Sequence, residues 1–204
     1  NVINTSNTVT GTAVVTDSAA TPNNVTDQFS VSYEPGTLEI KEKEVTVSVA
    51  NAEDVEYDGK EHTGETEYAF NGIIDGEEAT ITYTAAKGTL VGDYTGSYSD
   101  DFAVTKADGS DSTGNYKLTT KTPGTLKITD RTTKYALTVV GNSNTGNIYD
   151  GSAKAATGYV VKYNGAEVGS NATGTGNTTI TVEGVTYTLS GIASGNPSSI
   201  NVIN

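Results

Sequence analysis

A segment near the start of this chain recurs in its second half, and this repetition limits the folds that the chain can adopt. The segment Glu34–Ile40 returns as Thr122–Ile128, and both contain the run Pro-Gly-Thr-Leu-x-Ile. The triplet Tyr57–Gly59 returns as Tyr149–Gly151. Each Tyr-Asp-Gly triplet follows an apolar alternation, so the chain contains copies of one module in different states of completeness.

The order of these anchors divides the chain into three parts. Residues 42–130 hold a complete module, residues 1–41 hold the rear part of one, and residues 131–204 hold the front part of another. The four residues Asn1–Asn4 are identical to Asn201–Asn204. We therefore expect an internal piece of a longer tandem array, with two unlike modules in a period of about 200 residues.

Composition predicts an all-β chain of short strands with little or no helix. Only 34% of the residues are hydrophobic, and 12 of the 15 aromatic residues are Tyr. Thr, Val, Tyr and Ile favour a pleated surface, whereas Gly, Asn and Asp favour turns. The alternation predicts strands at Val45–Val49 and Ala79–Thr84. Two hairpins are also predicted, one over Thr178–Leu189 and one joining Tyr116–Leu118 to Thr125–Ile128.

Charge and residue types exclude several classes of function. The net charge is −13, which disfavours nucleic-acid binding because it repels phosphate backbones. Without Cys and with one His, the chain offers no thiolate metal site and only a poor catalytic base. No apolar stretch approaches the ~20 residues of a membrane span. Modules this small and without Trp also lack the cleft of a glycoside hydrolase, so we predict no enzyme.

The motifs and their order resemble the YDG and MBG repeat domains of very large surface adhesins of gut Firmicutes and related bacteria. The matching residues are Glu56–Lys60 with Asn115–Leu118, and Ile148–Gly151 with Thr181–Thr188. The resemblance implies small β-grasp-like or β-sandwich-like modules in tandem. It also implies an extracellular place on the cell surface, with a wall anchor in parts of the protein outside this chain, and no catalytic residues.

The Tyr-Asp-Gly triplets have a structural interpretation and a functional one. In the structural interpretation, Asp58 caps backbone N–H groups and Gly59 takes a positive φ, with Tyr57 at the edge of the core. In the functional interpretation, exposed tyrosines contact a ligand. The tyrosines proposed for that role are Tyr57, Tyr94, Tyr98 and Tyr149.

Acidic and lysine side chains raise two further hypotheses. Asp108 and Asp111 present oxygen ligands that could hold calcium, although the spacing is not that of an EF-hand loop, and a solvated acidic face is the alternative. Lys41 and Lys134 lie near module starts and are candidates for intramolecular isopeptide bonds to Asn. No other cofactor is expected, and His62 is interpreted as a structural histidine.

Three classes of function follow from these observations. The first is a non-enzymatic stalk repeat that projects a binding region from the cell wall and contacts neighbouring repeats of its own chain. The second is a module that binds a host glycoprotein such as mucin or an immunoglobulin, through a surface rich in Tyr, Ser, Gly and Asn. The third is self-association, in which the parts at residues 1–41 and 131–204 complete each other within or between chains.

Overall fold

The computed structural model of the chain describes residues 3–201 and is all-β. Strands make up 44% of the residues and helix 3%. Within residues 3–201 the helical segments are single 3-10 turns, η1 (Thr26–Gln28) and η2 (Thr113–Asn115). None of the described helices is long and apolar enough to cross a membrane. The predicted overlap of Asn1–Asn4 with Asn201–Asn204 falls mostly outside the described residues.

The strands are short and numerous, as expected for a chain rich in glycine and threonine. In chain order they are β1 (Ile3–Asn7), β2 (Gly36–Ile40), β3 (Lys43–Val49), β4 (Val55–Glu56), β5 (His62–Thr63), β6 (Tyr68–Asn71), β7 (Glu77–Thr80), β8 (Tyr83–Thr84), β9 (Lys87–Gly88), β10 (Gly92–Thr95), β11 (Ser97–Tyr98), β12 (Ala103–Lys106), β13 (Tyr116–Thr122), β14 (Thr125–Thr129), β15 (Leu137–Gly141), β16 (Lys154–Ala155), β17 (Tyr159–Tyr163), β18 (Ala166–Asn171), β19 (Thr178–Val182), β20 (Val185–Leu189) and β21 (Ser198–Ser199).

These strands form two compact units. Of the described residues, the first unit comprises residues 3–53, 63–87 and 93–127, and the second comprises residues 54–62, 88–92 and 128–201. The division of the sequence into a rear part, a complete module and a front part stays a prediction.

The main sheet of the first unit has the strand order β13-β3-β6. The predicted alternation is confirmed in β3, where Val45, Val47 and Val49 are buried and the residues between them are not. β6 pairs with β3 antiparallel, whereas β13 pairs with it in parallel over six residue pairs. A bulge at Thr119 shifts the register of β13. Since both of its edges are paired, β3 is the central strand of this sheet.

The core of the first unit lies on one face of this sheet. Val45, Val104 and Tyr116 are buried together, and Phe70 and Phe102 pack against them. The Phe70 and Phe102 rings have centroids 5.8 Å apart. β12 brings Val104 into this core and pairs antiparallel with β7. Strands far apart in the sequence therefore share one small core.

Residues 3–40 of this unit contain a two-stranded antiparallel ladder with little burial. β1 pairs antiparallel with β2 in the register Ile3↔Ile40 to Asn7↔Gly36. Every residue of both strands is exposed, including Leu38 and Ile40. The apolar side chains of β2 are therefore not covered within the described residues.

A local hydrogen-bond pattern around η1 occurs again around η2. The Thr26 hydroxyl accepts from the Val15 N–H at 2.8 Å, and the Thr113 hydroxyl accepts from the Val104 N–H at 2.9 Å. In each segment, the residue after this N–H donor forms an isolated antiparallel bridge, Thr16↔Asn24 in one and Thr105↔Asp111 in the other. The side chains of Asn24 and Asp111 each accept from the N–H of the following threonine, Thr26 or Thr113, at 2.9 Å. The two segments thus adopt the same local conformation.

The second unit is built from a three-stranded sheet and a hairpin. The sheet has the order β15-β17-β18 with antiparallel pairing throughout. The predicted hairpin over Thr178–Leu189 is confirmed as β19 and β20, with Glu183 (φ 48°) and Gly184 (φ 82°) in the turn. Tyr159, Val161, Ile180 and Val182 form its core. The Tyr159 hydroxyl is buried and lies 2.7 Å from Thr178 Oγ1.

Two details of the strand prediction are wrong. The predicted strand at Ala79–Thr84 is broken into β7 and β8, which pair with β12 and β11. The predicted hairpin of Tyr116–Leu118 with Thr125–Ile128 does not form, because β13 pairs with β3 and β14 lies between β10 and β4. At the turn, Gly124 donates its N–H to the Tyr83 hydroxyl and accepts from the Gly96 N–H, which directs the two strands to different partners.

We expect Val47→Ala to destabilise the first unit by about 2 kcal/mol, because it removes two buried methyl groups and leaves a cavity. Val47 is 1% exposed. Urea denaturation followed by circular dichroism measures the change. Thr120→Ala, an exposed change on the neighbouring strand β13, serves as the control. Equal stabilities of the two variants would contradict the role of β3 as the central strand.

Candidate functional site

The first Tyr-Asp-Gly triplet forms a tight turn held by its aspartate. Asp58 Oδ1 accepts from the Lys60 N–H at 2.9 Å and lies 2.8 Å from Nε2 of His62. The Lys60 N–H, and after it the His62 ring, lower the pKa of Asp58. Gly59 has φ +78°, a value that favours glycine. The turn therefore has the aspartate cap and the positive φ that the structural interpretation predicts, and His62 is hydrogen-bonded to Asp58.

The second triplet forms the same turn with a different partner. Asp150 Oδ1 accepts from the Ser152 N–H at 2.9 Å, and Gly151 has φ +80°. Lys154 takes the position of the histidine and donates to Asp150 Oδ2 at 2.8 Å. The Lys154 ammonium group, and after it the Ser152 N–H, lower the pKa of Asp150. The local turn is thus specified by the triplet itself.

The surroundings of the two turns differ. A Cβ added at Gly59 would overlap the Tyr187 hydroxyl and lie 2.9 Å from Cγ1 of Val185. A Cβ added at Gly151 would meet no atom of the described part of the chain within 4 Å. In the second unit, strand β20 therefore packs against the first turn, whereas the second turn is open.

The sequence patterns did not indicate a role for Tyr187. Its hydroxyl lies against Gly59 of the first turn. Its hydroxyl is buried and makes no hydrogen bond of normal geometry with the described residues. Burial, and after it the neighbouring Tyr57 hydroxyl, raise the pKa of Tyr187 to about 12. A phenol in this setting strongly favours its neutral form.

The single arginine of the sequence also contacts this turn and was missed by the sequence analysis. Arg131 Nη1 donates to the Tyr57 carbonyl and to the Tyr135 hydroxyl, each at 3.1 Å. Its guanidinium carbon lies 4.0 Å from the centroid of the Tyr135 ring. Both Tyr135 and Tyr163 donate to the Glu183 carboxylate. The lone arginine among eleven lysines was the available signal, since a fork of donors suits such a network.

The tyrosines predicted to contact a ligand lie in different settings. Tyr57, Tyr94 and Tyr98 are half-buried, whereas Tyr149 is 67% exposed. The Tyr98 ring packs on Tyr83 with centroids 4.7 Å apart. Tyr98, Tyr83 and Tyr94 belong to the first unit and Tyr57 and Tyr149 to the second. The four do not form one exposed aromatic patch within either unit.

The predicted calcium ligands are engaged in local turns. Asp108 Oδ1 accepts from the N–H and hydroxyl of Ser110, and Asp111 Oδ1 accepts from the Thr113 N–H. The Ser110 and Thr113 donors lower the pKa of the respective carboxyls. No group of three or more His, Cys, Asp or Glu side chains that could hold a metal ion occurs within residues 3–201.

The candidate isopeptide lysines lie at the surface. Lys41 is exposed and its ammonium group lies 3.7 Å from the Glu39 carboxylate. Lys134 is also exposed. An isopeptide bond requires its lysine in an apolar core, and neither side chain is in one here.

A groove of about 580 Å³ runs beside the second Tyr-Asp-Gly turn. Its walls are residues 142–149, 152, 154–156 and 197–201, all in the second unit. Ile148 and Tyr149 lie along it and are 85% and 67% exposed. Most of the other side chains in the walls are Asn, Ser and Thr. The groove thus offers both apolar surface and hydrogen-bonding groups, which an extended peptide can use.

Comparison with known proteins assigns no family or function to the chain, so the proposal below rests on its sequence and geometry. No family model, curated protein or solved structure matches the chain.

We expect Gly59→Ala to destabilise the second unit by roughly 2 kcal/mol more than Gly151→Ala. Both changes place a Cβ at positive φ, which costs about 1–2 kcal/mol, but only Gly59→Ala adds overlap with Tyr187. Both turns belong to the same unit, so urea denaturation of the two variants compares them directly. Similar losses would show that Tyr187 does not pack on the first turn.

We expect Tyr187→Phe to leave stability unchanged or slightly increased at pH 7, because it removes a buried hydroxyl that makes no hydrogen bond of normal geometry with the described residues. Since the folded pKa of Tyr187 is raised to about 12, its stabilising contribution is complete below the unfolded pKa of about 10 and is lost as pH rises through 12. The variant should therefore lose less stability than wild type between these pH values, with exposed Tyr149→Phe as the control. A parallel decline in all three proteins would contradict this.

Proposed function

We propose that this chain is a non-enzymatic stalk segment of a bacterial surface adhesin, which bears load between the cell wall and a distal binding region. The observation that carries the proposal is the parallel pairing of β3 with β13. β3 opens the complete module and β13 lies close to its end. Load that enters at the start of β3 and leaves after β14 would thus act on two parallel pairs, β13 with β3 and β14 with β4.

Parallel pairing gives this sheet a favourable loading geometry. Tyr116 lies opposite Lys43 and Thr122 lies opposite Ser48, so the two strands point the same way. Pulling the start of β3 away from the end of β13 slides the strands along each other. The hydrogen bonds between them lie across the pulling direction and share the load. A second parallel pair, Ile128↔Val55 and Thr129↔Glu56, joins β14 to β4 in the same sense.

Composition supports the same role. The net charge of −13 favours solubility and an extended arrangement of successive modules through mutual repulsion. The sequence has neither Cys nor Met, the side chains most easily oxidised outside a cell. The resemblance to YDG and MBG repeats supports an extracellular location.

The alternative, a module that binds a host glycoprotein, receives less support from the tyrosines. Of the four tyrosines predicted to contact a ligand, Tyr57, Tyr94 and Tyr98 are half-buried, which limits the area that they present to a partner, and Tyr149 is 67% exposed. Specific capture of mucin or immunoglobulin by the purified chain would favour this alternative over the stalk.

We expect the module to resist shear of β3 against β13 more strongly than peeling of the same strands. Because the sequence has no Cys, engineered pairs give unique handles for single-molecule force spectroscopy. The variant E42C/T122C pulls the start of β3 from the end of β13. The variant E42C/K117C pulls from ends that lie side by side, since Lys117 is opposite Glu44.

All three handle positions are exposed, so the two variants differ in loading direction and not in packing. Shear should give the higher unfolding force, because the ladder breaks as a whole and not one pair at a time. Equal forces, or a higher force on peeling, would overturn the load-bearing role.

A further inference from the structure

The sheet of the second unit resembles the main sheet of the first unit with one strand missing. In the first unit, β3 has β6 on one edge and β13 on the other. In the second unit, β15 has β17 on one edge, and no strand within residues 3–201 pairs with the other edge. Val47 is 1% exposed in β3, whereas Val139 in β15 is 40% exposed. An apolar strand with one open edge is a template for strand addition.

Residues 29–41 resemble the segment that contains β13 and β14. They follow η1 as β13 and β14 follow η2, and they include the same Pro-Gly-Thr-Leu-x-Ile run. Leu126 and Ile128 in β14 are 2% and 1% exposed, whereas Leu38 and Ile40 in β2 are 49% and 45% exposed. The segment therefore carries the side chains of a buried strand without a core to bury them.

Apolar residues between η1 and β2 are exposed in the same way. Phe29, Val31 and Tyr33 are 56%, 46% and 45% exposed, and residues 29–35 belong to no strand. In β13, which follows η2, Tyr116 is buried. The η1 and η2 turns share their local hydrogen bonds, so Phe29 corresponds to Tyr116 and Val31 to Leu118.

The pairing of β13 with β3 then gives the register in which residues 29–34 would pair with β15. Leu118 lies opposite Val45 and Thr120 opposite Thr46. Leu137 and Thr138 are the counterparts of Val45 and Thr46 in the alternation that precedes each Tyr-Asp-Gly triplet. Val31 thus falls opposite Leu137. Since residues 29–34 lack a counterpart of the bulged Thr119, Ser32 falls opposite Thr138.

The groove beside Tyr149 accommodates the rest of the segment. In the complete module, Ala52 and Tyr57 donate their N–H groups to the carbonyls of Thr125 and Thr129. Asn144 and Tyr149 are the counterparts of Ala52 and Tyr57, and both lie in the wall of the groove. Their N–H groups are thus placed to bind the carbonyls of Thr37 and Lys41.

We propose that residues 29–41 of one molecule add as a parallel strand to β15 and the groove of a second copy of this chain. The occupant is a second copy because this chain itself carries the segment whose sequence and exposed side chains fit the open edge. Each copy offers one segment and one open edge, so the contact is heterologous and joins copies head to tail. The inference rests on strand pairing and not on the stalk function, so either can fail without the other.

Site-directed cross-linking of the full chain tests the register. Paired strands lie ~4.8 Å apart, within the range that a disulfide spans. A mixture of the single variants S32C and T138C should form a disulfide-linked heterodimer at least about tenfold faster than S32C mixed with T186C, since strand addition raises the local thiol concentration. All three positions are exposed, so no variant disturbs a core.

Three further measurements complete the test. Wild-type mass in analytical ultracentrifugation should rise with concentration. A synthetic peptide of residues 27–41 should suppress both this rise and the cross-link, whereas a scrambled peptide should not.

A strictly monomeric chain with equal cross-linking in both mixtures would overturn the proposal. An intrachain disulfide in the double variant S32C/T138C at high dilution would overturn it as well, because the chain's own segment would then occupy the edge.

Discussion

The parallel contact between β3 and β13 is the interaction on which the first unit depends. It places residues 116–122 beside residues 43–48, and the hydrogen bond from the Thr119 hydroxyl to the Val45 carbonyl spans 74 residues of sequence. The same separation recurs where Thr129 Oγ1 donates to the Val55 carbonyl. The buried side chains of Val45, Val104 and Tyr116 meet because this contact closes. Without it, β3 would present an open apolar edge, as β15 does among the described strands.

Local sequence patterns predicted the strands well but not all of their partners. The alternation in Val45–Val49 and the turn at Glu183 are encoded by neighbouring residues, and both appear as predicted. The Pro-Gly turn after Thr122 carries the same local cues as a hairpin, yet its flanking strands pair elsewhere. Parallel pairing between distant segments has no local signature, so the sequence pattern could not distinguish these outcomes.

The candidate site likewise combines features that neighbouring residues specify with contacts that depend on distant ones. The Asp-Gly turns at Asp58 and Asp150 need only the next few residues, and their hydrogen bonds follow from the triplet. Tyr187 packs on Gly59 only because β20 is brought there by the fold of the second unit. Similarly, Tyr135 lies four residues after Arg131, but the hydrogen bond from Arg131 to the Tyr57 carbonyl joins residues 74 positions apart and has no local signature. Contacts between distant residues determine which of two identical turns is covered.

The long separation between β3 and β13 has a consequence for biosynthesis. During translation, β3 emerges well before β13, and closing a loop of this length carries a substantial entropic cost. For that interval β3 has an open edge like the one that β15 has within residues 3–201. In the tandem array that the sequence predicts, strands from neighbouring copies would compete for such an edge, as in the misassembly known for repeat proteins. Sequence differences such as the bulged Thr119, which residues 29–34 lack, would help each edge to select its own strand.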